Sequence, residues 1–211
     1  MFVDTSLAGT VTVSTPPMNI ITHALAGWGL ATMLPGLSRQ EKTWIVAASV
    51  APDLDGLGLL ADVTTAKTDS PLFWWSEYHH LVAHNLLFAL LLSLAAAAFT
   101  WKVLLGVAVF GSVNLHFLCD LAGSRGPDGY QWPLHYLWPF SDWPAWAVSW
   151  QWKLNAWPNV AISLVLLGYV LWLARQRGTS PLELVSPHAN EVFVATIRSR
   201  FPLEQRVCRD L

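Results

Sequence analysis

Histidines and aspartates beside apolar segments are the residues of this chain that could do chemistry. The densest group lies in "YHHLVAHNLLF", residues 78–88, where His79, His80 and His84 directly precede an apolar run. Neutral imidazoles and carboxylates are the usual ligands of zinc, manganese and iron in proteins. An ionisable side chain within a membrane costs about 2.5 kcal/mol or more unless it is paired or hydrated. The three histidines therefore indicate a polar site beside a membrane-embedded segment.

Further histidines and aspartates stand near the ends of the other apolar segments. His116 and Asp120, in "HFLCD", are four residues apart, so a helix places them on one face. Asp53 and Asp55, in "APDLDGL", lie between Pro52 and a glycine, where a turn or helix break can aim both carboxylates inward. The expected metal ligands are His23, Asp53, Asp55, His79, His84, His116 and Asp120.

These ligands could hold one or two divalent ions, and two ions about 3.5–4 Å apart are typical of many phosphoesterases. Zinc is the expected ion, with manganese or iron as alternatives. His80 is either an additional ligand or a general base. Arg125, in "SRGPDGY", could hold a phosphate through its planar guanidinium, and its competing interpretation is a loop residue paired with Asp128. His135, His188 and Asp62 are interpreted as ordinary interfacial side chains.

Apolar segments with the composition of membrane helices must position these side chains. Of the 211 residues, 54% are hydrophobic and 12% are charged, whereas a soluble domain has about 25% charged residues. A spanning helix needs about 17–25 residues, so the first and third segments are short. The prediction is an all-α integral membrane bundle of about five transmembrane or membrane-embedded helices. The apolar segments cover residues 20–34, 43–60, 85–100, 101–122 and 160–174.

The segment between the fourth and fifth apolar runs is rich in tryptophan. It holds seven of the thirteen tryptophans, a residue that is enriched at membrane–water interfaces. We therefore expect an interfacial loop in the headgroup layer, with a packed cap outside the membrane as the alternative. The predicted domains are a flexible tail or mis-called start at 1–17, a membrane-embedded metal-hydrolase-like domain at 18–175, and a polar cytoplasmic tail at 176–211 that is helical around 190–199.

The basic residues predict an orientation in the inner or plasma membrane. Nine of the twelve lysines and arginines fall on one side of the predicted helices, which the positive-inside rule makes the cytoplasmic side. The N-terminus is then outside and the C-terminus is in the cytoplasm. All the expected ligands converge on the outer leaflet.

The net charge and the cysteine content exclude several classes of function. A net charge of −2 gives no case for nucleic-acid binding. Cys119 and Cys208 are far apart and form no CxxC pair, which argues against a disulfide scaffold or a cysteine zinc site. The lipid bilayer is the partner that the composition implies, and the oligomeric state is open.

The motifs "ITHALAGW", "APDLD", "HHLVAHNLLF", "HFLCD" and "WPF" resemble the YdjM-like membrane-bound, predicted metal-dependent hydrolases. The resemblance runs from about residue 18 to residue 143, and more loosely through the last apolar helix. That family has a His-Arg pair followed by Thr-His-Ser, where this chain has His79-His80 and then Ala83-His84-Asn85. Because His80 replaces the arginine, either His79 or His80 could be the ligand.

The resulting hypothesis is a membrane-bound metal-dependent hydrolase that acts on a phosphoester or lipid-linked substrate at the outer face. Two alternatives use the same residues: a transporter with the His/Asp cluster as its ion path, and a non-catalytic membrane partner with a structural metal. The lack of an internal repeat argues mildly against the transporter.

Overall fold

The computed structural model describes residues 20–126 and 129–202. The predicted tail at 1–17 and Asp128 therefore lie outside the described residues. The helices are α1 (Ile20–Met33), α2 (Arg39–Val50), α3 (Gly58–Thr65), α4 (Trp74–Tyr78), α5 (Leu86–Thr100), α6 (Val103–Gly123), α7 (Trp157–Arg177) and α8 (Pro187–Arg200). Short 3-10 helices cover Pro52–Leu57 and Pro181–Leu184, and a hairpin pairs β1 (Leu134–His135) with β2 (Ala145–Trp146).

The helices confirm the predicted all-α membrane architecture. Helices α6 and α7, each 21 residues long, are apolar enough to cross a membrane. Helix α2 and the segment Pro52–Thr65 together form a third possible span, bent by 52°. Helices α1 and α5 are apolar but have only 14 and 15 residues. Two or three helices thus have spanning length, and two more apolar helices are shorter. The predicted number of about five membrane helices stays a prediction.

The second predicted segment, residues 43–60, is not one continuous helix. Pro52 lacks a backbone N–H, so the α-helical hydrogen-bond ladder cannot continue through it. Helix α2 ends at Val50, and the 3-10 helix Pro52–Leu57 that follows carries Asp53 and Asp55. The break therefore places both carboxylates at the end of the bundle, as the "APDLDGL" motif predicted.

Helix α6 is the centre of the bundle, in contact with α5, α2 and α1, while α7 packs against α1. Small residues permit these close approaches. A Cβ atom at Gly106 would lie 2.9 Å from the Cβ of Ala97, so α5 and α6 could not pack this closely with a larger residue. The Ser112 hydroxyl donates a hydrogen bond to the carbonyl of Ile45 (2.7 Å) and joins α6 to α2.

The tryptophan-rich segment folds as a hairpin against the bundle. Tyr136 joins the hairpin to α5 and α6. Its hydroxyl donates to Oδ1 of Asn114 (2.9 Å), and its carbonyl accepts from the N–H of Leu86 (2.8 Å). The Tyr136 ring also stacks on Trp146, with centroids 5.1 Å apart. The hairpin therefore lies over the start of α5 and the second half of α6. Its location in the headgroup layer stays a prediction.

The C-terminal segment is docked at the opposite end of the bundle. Helix α8 confirms the helix expected around residues 190–199. Glu183 pairs with Lys42 of α2 (2.8 Å), and the guanidinium of Arg175 donates to the carbonyl of Phe201 (2.9 Å). These contacts tie the polar segment to α2 and α7.

Candidate metal centre

The predicted histidines and aspartates meet at one end of the bundle. Helix α1 contributes His23 from its first turn, and the loop before α5 contributes His84. Helix α6 contributes His116 and Asp120, which share a face at the i,i+4 spacing. His23, His84, His116 and Asp120 are at most 5% exposed. Residues separated by about a hundred positions in sequence thus form one buried polar cluster.

A first group of ligand atoms comes from His23, Asp53, His116 and Asp120, and these atoms all lie within 4.8 Å of one another. Nε2 of His116 is 2.9 Å from Oδ2 of Asp120 and 3.7 Å from Oδ1 of Asp53. Nε2 of His23 is 3.3 Å from Oδ1 of Asp120. Two imidazoles and two carboxylates make a donor set that suits zinc, manganese or iron.

A second group is formed by His80, His84 and Asp120, again with ligand atoms within 4.8 Å of one another. Nε2 of His84 lies 3.4 Å from Oδ2 of Asp120. Asp120 belongs to both groups, so its carboxylate stands between two sets of imidazoles. A carboxylate in that position can serve two neighbouring cations.

The hydrogen bonds of His84 and His116 determine which ring nitrogen is available. Nδ1–H of His116 donates to the carbonyl of Ser49 (2.8 Å), an atom that can only accept. Nδ1 of His84 faces the carboxylate of Asp55 (2.9 Å). The neutral rings therefore carry no proton on Nε2, yet the two Nε2 atoms are 3.1 Å apart. Two facing lone pairs repel unless a cation, a proton or a metal ion, lies between them.

Asp55 belongs to neither ligand group but contacts histidines of the cluster through hydrogen bonds. Its Oδ1 accepts from Nδ1 of His79 (2.6 Å), and its Oδ2 accepts from Nδ1 of His84 (2.9 Å) and from the backbone N–H of His80 (3.1 Å). Carboxylates that hold the second nitrogen of a ligating histidine are the common outer partners of metal sites. The geometry indicates that Asp55 orients the ligands.

His79 is placed with Asp55, and neither residue is in either ligand group. The His79 ring stacks on Trp75, with centroids 3.8 Å apart, and stands edge-on to Trp132. The ring of His80 lies beside it, with centroids 4.3 Å apart, and only His80 belongs to the second group. The two adjacent histidines therefore differ in their contacts: His79 binds Asp55, and His80 faces His84 and Asp120.

His80 has an unusual backbone for a residue with a side chain. Its φ angle is +65°, in the left-handed region where non-glycine residues are uncommon and cluster at functional sites. Its ring is stacked between Trp132 and His84, with centroid distances of 4.9 and 4.4 Å. Burial holds the pKa of His80 well below its usual range, so the ring is neutral, the form that binds a metal.

Several buried polar atoms of the cluster have no hydrogen-bond partner among the described residues. They are both ring nitrogens of His23, Oδ2 of Asp53 and both carboxylate oxygens of Asp120. A buried polar atom without a partner costs about 1–3 kcal/mol, and more when it is charged. A divalent cation could bind one ring nitrogen of His23 together with carboxylate oxygens of Asp53 and Asp120, so the residues present fit a metal site.

Arg125 lies just beyond α6 and outside the His/Asp cluster. Its Nε donates to the carbonyl of Gly129 (3.1 Å), and its backbone N–H donates to the carbonyl of Trp152 (3.2 Å). Within residues 20–126 and 129–202, Arg125 forms no ion pair with a carboxylate. Its predicted contact with a phosphate stays a prediction, as does the alternative pair with Asp128.

Two aromatic residues of the site were not predicted from sequence: Trp75 and Trp132, which cover His79 and His80. The density of tryptophan marked residue 132 as interfacial but could not indicate its partner. Asp62, interpreted as an interfacial side chain, instead accepts hydrogen bonds from the N–H groups of Trp74 (2.6 Å) and Trp75 (3.1 Å) at the start of α4. No local signal connects residues twelve and thirteen positions apart.

One known family model matches most of this chain. This chain belongs to the YdjM inner membrane protein family. The family model matches residues 18–197, which include helices α1 to α7, most of α8 and every residue of the cluster. No curated protein and no solved structure matches the sequence. The chain is thus an inner membrane protein, and the chemistry of its site must be argued from its own residues.

Proposed function

We propose that this protein is a membrane-bound metal-dependent hydrolase with a centre for one or two divalent cations. The observation that carries the proposal is the position of Asp120, whose carboxylate belongs to both groups of ligand atoms. Together with the unpartnered oxygens of this carboxylate and the 3.1 Å approach of two imidazole nitrogens, it supports a centre built for cations. Zinc is the expected ion because histidine nitrogens and carboxylate oxygens form the donor set.

The residues divide into ligands and positioning residues. His23, Asp53, His116 and Asp120 would hold one ion, and His80, His84 and Asp120 would hold the other. Cations bound there would supply Lewis-acid polarisation of the scissile group and a water of lowered pKa. Ser49 and Asp55 keep Nε2 of His116 and His84 directed at the cluster. Asp55 also places His79 at the edge of the site.

A phosphoester or lipid-linked substrate suits this site. The cluster lies at the end of apolar helices beneath an aromatic hairpin, so a substrate in the bilayer could reach it. Arg125 would hold the phosphate in a bidentate manner. Arg125→Lys keeps the charge but loses the planar fork, so it should slow turnover without changing metal content. Wild-type rates in Arg125→Lys and in Arg125→Ala would remove Arg125 from the substrate site.

The proposed orientation places the metal centre at the outer face and the C-terminus in the cytoplasm. Its support is the distribution of basic residues, since Lys42, Lys102 and Arg175 all lie toward the end opposite to the cluster. A reporter fused after Arg177 should be cytoplasmic, and one inserted between residues 142 and 157 should be external. Both reporters on the same side would contradict this orientation.

The deciding experiment combines elemental analysis with a hydrolysis assay on the detergent-purified chain. We expect about one to two equivalents of a transition metal and chelator-sensitive hydrolysis of phosphoesters. His116→Ala should lower both, whereas His188→Ala, the same change on the exposed face of α8, should change neither. Full metal content in His116→Ala would remove this residue from the centre. A metal-loaded protein without chelator-sensitive hydrolysis would contradict the enzyme and favour a structural metal or an ion path.

A further inference from the structure

Two depressions are lined by alternating parts of the segment formed by residues 77–82, which carries His79 and His80. One is a groove of about 440 Å³ lined by Asp55, Gly58, Trp74, Tyr78 and Val82. The other is a cavity of about 90 Å³ whose lining includes Glu77, His79, His80 and Trp132. Side chains of one short segment thus divide between the two, with Tyr78 and Val82 in the groove and His79 and His80 in the cavity.

The two depressions differ in chemistry. The cavity is lined by three histidines and a glutamate, including His80 of the second ligand group. The groove presents the side chains of Trp74, Tyr78 and Val82, and its one charged residue is Asp55, whose carboxylate is held by His79 and His84. No lysine or arginine in the described part of the chain lines the groove. The groove therefore suits an uncharged apolar chain.

The surroundings and the size of the groove agree with this chemistry. Leu54 and Leu57 are chain neighbours of Asp55 and Gly58, Phe73 directly precedes Trp74, and all three side chains are exposed. Further apolar side chains therefore adjoin the lining residues of the groove in sequence. A volume of about 440 Å³ lies in the usual range of ligand sites, about 300–1,000 Å³. The smaller cavity has room for a few waters or a small polar group only, since one water needs about 10–15 Å³.

We infer that the groove binds the hydrocarbon chain of an amphiphilic phosphoester substrate, whose polar group is directed past Asp55 toward the metal centre. The inference rests on the proposed hydrolase function and specifies its substrate class. Asp55 lines the groove and its carboxylate also accepts from Nδ1 of His84, a residue of the second ligand group. A chain lying in the groove therefore has its head one side chain away from that group. A hydrophilic phosphoester would leave the groove unused.

The test is the dependence of hydrolysis on chain length. Water-soluble alkyl phosphodiesters with chains of two to eight carbons are assayed below their micelle-forming concentrations. The wild-type kcat/KM should rise by up to fourfold for each methylene that the groove buries, the ratio that corresponds to about 0.8 kcal/mol. Val82→Trp fills the groove and should abolish this rise while keeping the rate on the two-carbon ester and the metal content.

Val63→Trp is the matched control, because it makes the same change at an exposed position of α3 that does not line the groove. It should retain the wild-type dependence on chain length. The inference is overturned if Val82→Trp keeps the wild-type slope. It is also overturned if Val82→Trp lowers the rate on all esters equally at full metal content.

A second measurement tests binding in the groove independently of hydrolysis. An alkyl phosphate with a photoreactive group at the end of its chain is cross-linked to the protein, and labelled peptides are identified by mass spectrometry. Labelling of residues 74–82 in wild type and Val63→Trp, but not in Val82→Trp, supports the groove even if no ester is hydrolysed. Uniform labelling of exposed apolar helices, as by ordinary bilayer lipid, would overturn it.

Discussion

The two ends of the helical bundle both bury charged side chains, but they treat them differently. At the end with the C-terminal segment, Glu41 is 5% exposed and its oxygens are fully engaged. One oxygen pairs with Nζ of Lys102 (2.8 Å), and the other accepts from the backbone N–H of Ser38 (2.8 Å). Glu41 thus joins the start of α2 to the start of α6. This polar cluster is complete within the protein itself.

At the other end, the His/Asp cluster is incomplete. Both carboxylate oxygens of Asp120 and both nitrogens of His23 lack hydrogen-bond partners in the described part of the chain. Imidazole nitrogens of His116, His23 and His84 lie 2.9, 3.3 and 3.4 Å from the Asp120 oxygens, but without hydrogen-bond geometry. Burial of this carboxylate costs free energy unless a proton or a metal ion is shared with these rings. The two buried carboxylates thus differ in their partners. Glu41 is balanced by the permanent positive charge of Lys102, whereas Asp120 faces imidazoles that carry no charge when neutral, so a cation could balance it.

The largest effect is expected from Asp120→Ala, which removes the carboxylate shared by both ligand groups. The variant should lose most of its metal and lose activity by at least a hundredfold, because both ions lose a ligand. Elemental analysis and the hydrolysis assay would show this, with circular dichroism as the check on folding. Wild-type metal content in Asp120→Ala would show that this carboxylate does not hold metal, and that the two ends of the bundle do not differ as described.

His79→Ala and His80→Ala sharpen the assignment within the incomplete cluster. His80→Ala should lower the metal content below that of the wild type, because His80 belongs to the second ligand group. His79→Ala should leave the stoichiometry near wild type, since Asp55 and Trp75 engage this ring outside the groups. The reverse pattern in elemental analysis would exchange the roles of the two neighbours.

Asp55→Asn tests whether this carboxylate is a positioning residue. An asparagine keeps the shape but weakens the hold on Nδ1 of His84 and His79, so metal affinity should fall by about 10–100-fold at unchanged stoichiometry. Competition with a chelating indicator measures the affinity. A complete loss of one ion at saturating metal would instead identify Asp55 as a direct ligand.

The smallest effect on the metal centre is expected from Lys102→Met, at the end of the bundle where Glu41 and Lys102 form an ion pair. Glu41 loses its ion-pair partner while remaining buried, so stability should fall by about 1–3 kcal/mol, a range reduced by the exposure of Lys102. Thermal unfolding in detergent would report the loss. Metal content should be unchanged, and a lowered content would show that the two ends are coupled.

Local patterns in the sequence were sufficient for much of this structure. The apolar runs predicted α1, α5, α6 and α7 because helices in a membrane must bury their backbone polar groups internally. The spacing of His116 and Asp120 predicted a shared face, since residues four apart on a helix are neighbours. Pro52 predicted the break that carries Asp53 and Asp55, because proline cannot donate the next helical hydrogen bond.

What the sequence by itself determined is therefore the apolar helices and the chemical types gathered at one end, but not the short helices α3 and α4. Only the tertiary structure decided that Asp120 serves two groups, that Asp55 stands behind the ligands, and that His80 joins the cluster while His79 binds Asp55. These outcomes depend on the contact of α6 with α1 and α2 and on the left-handed backbone at His80. Spacing along one helix is set by its hydrogen bonds, whereas distances between helices depend on how all the side chains pack together.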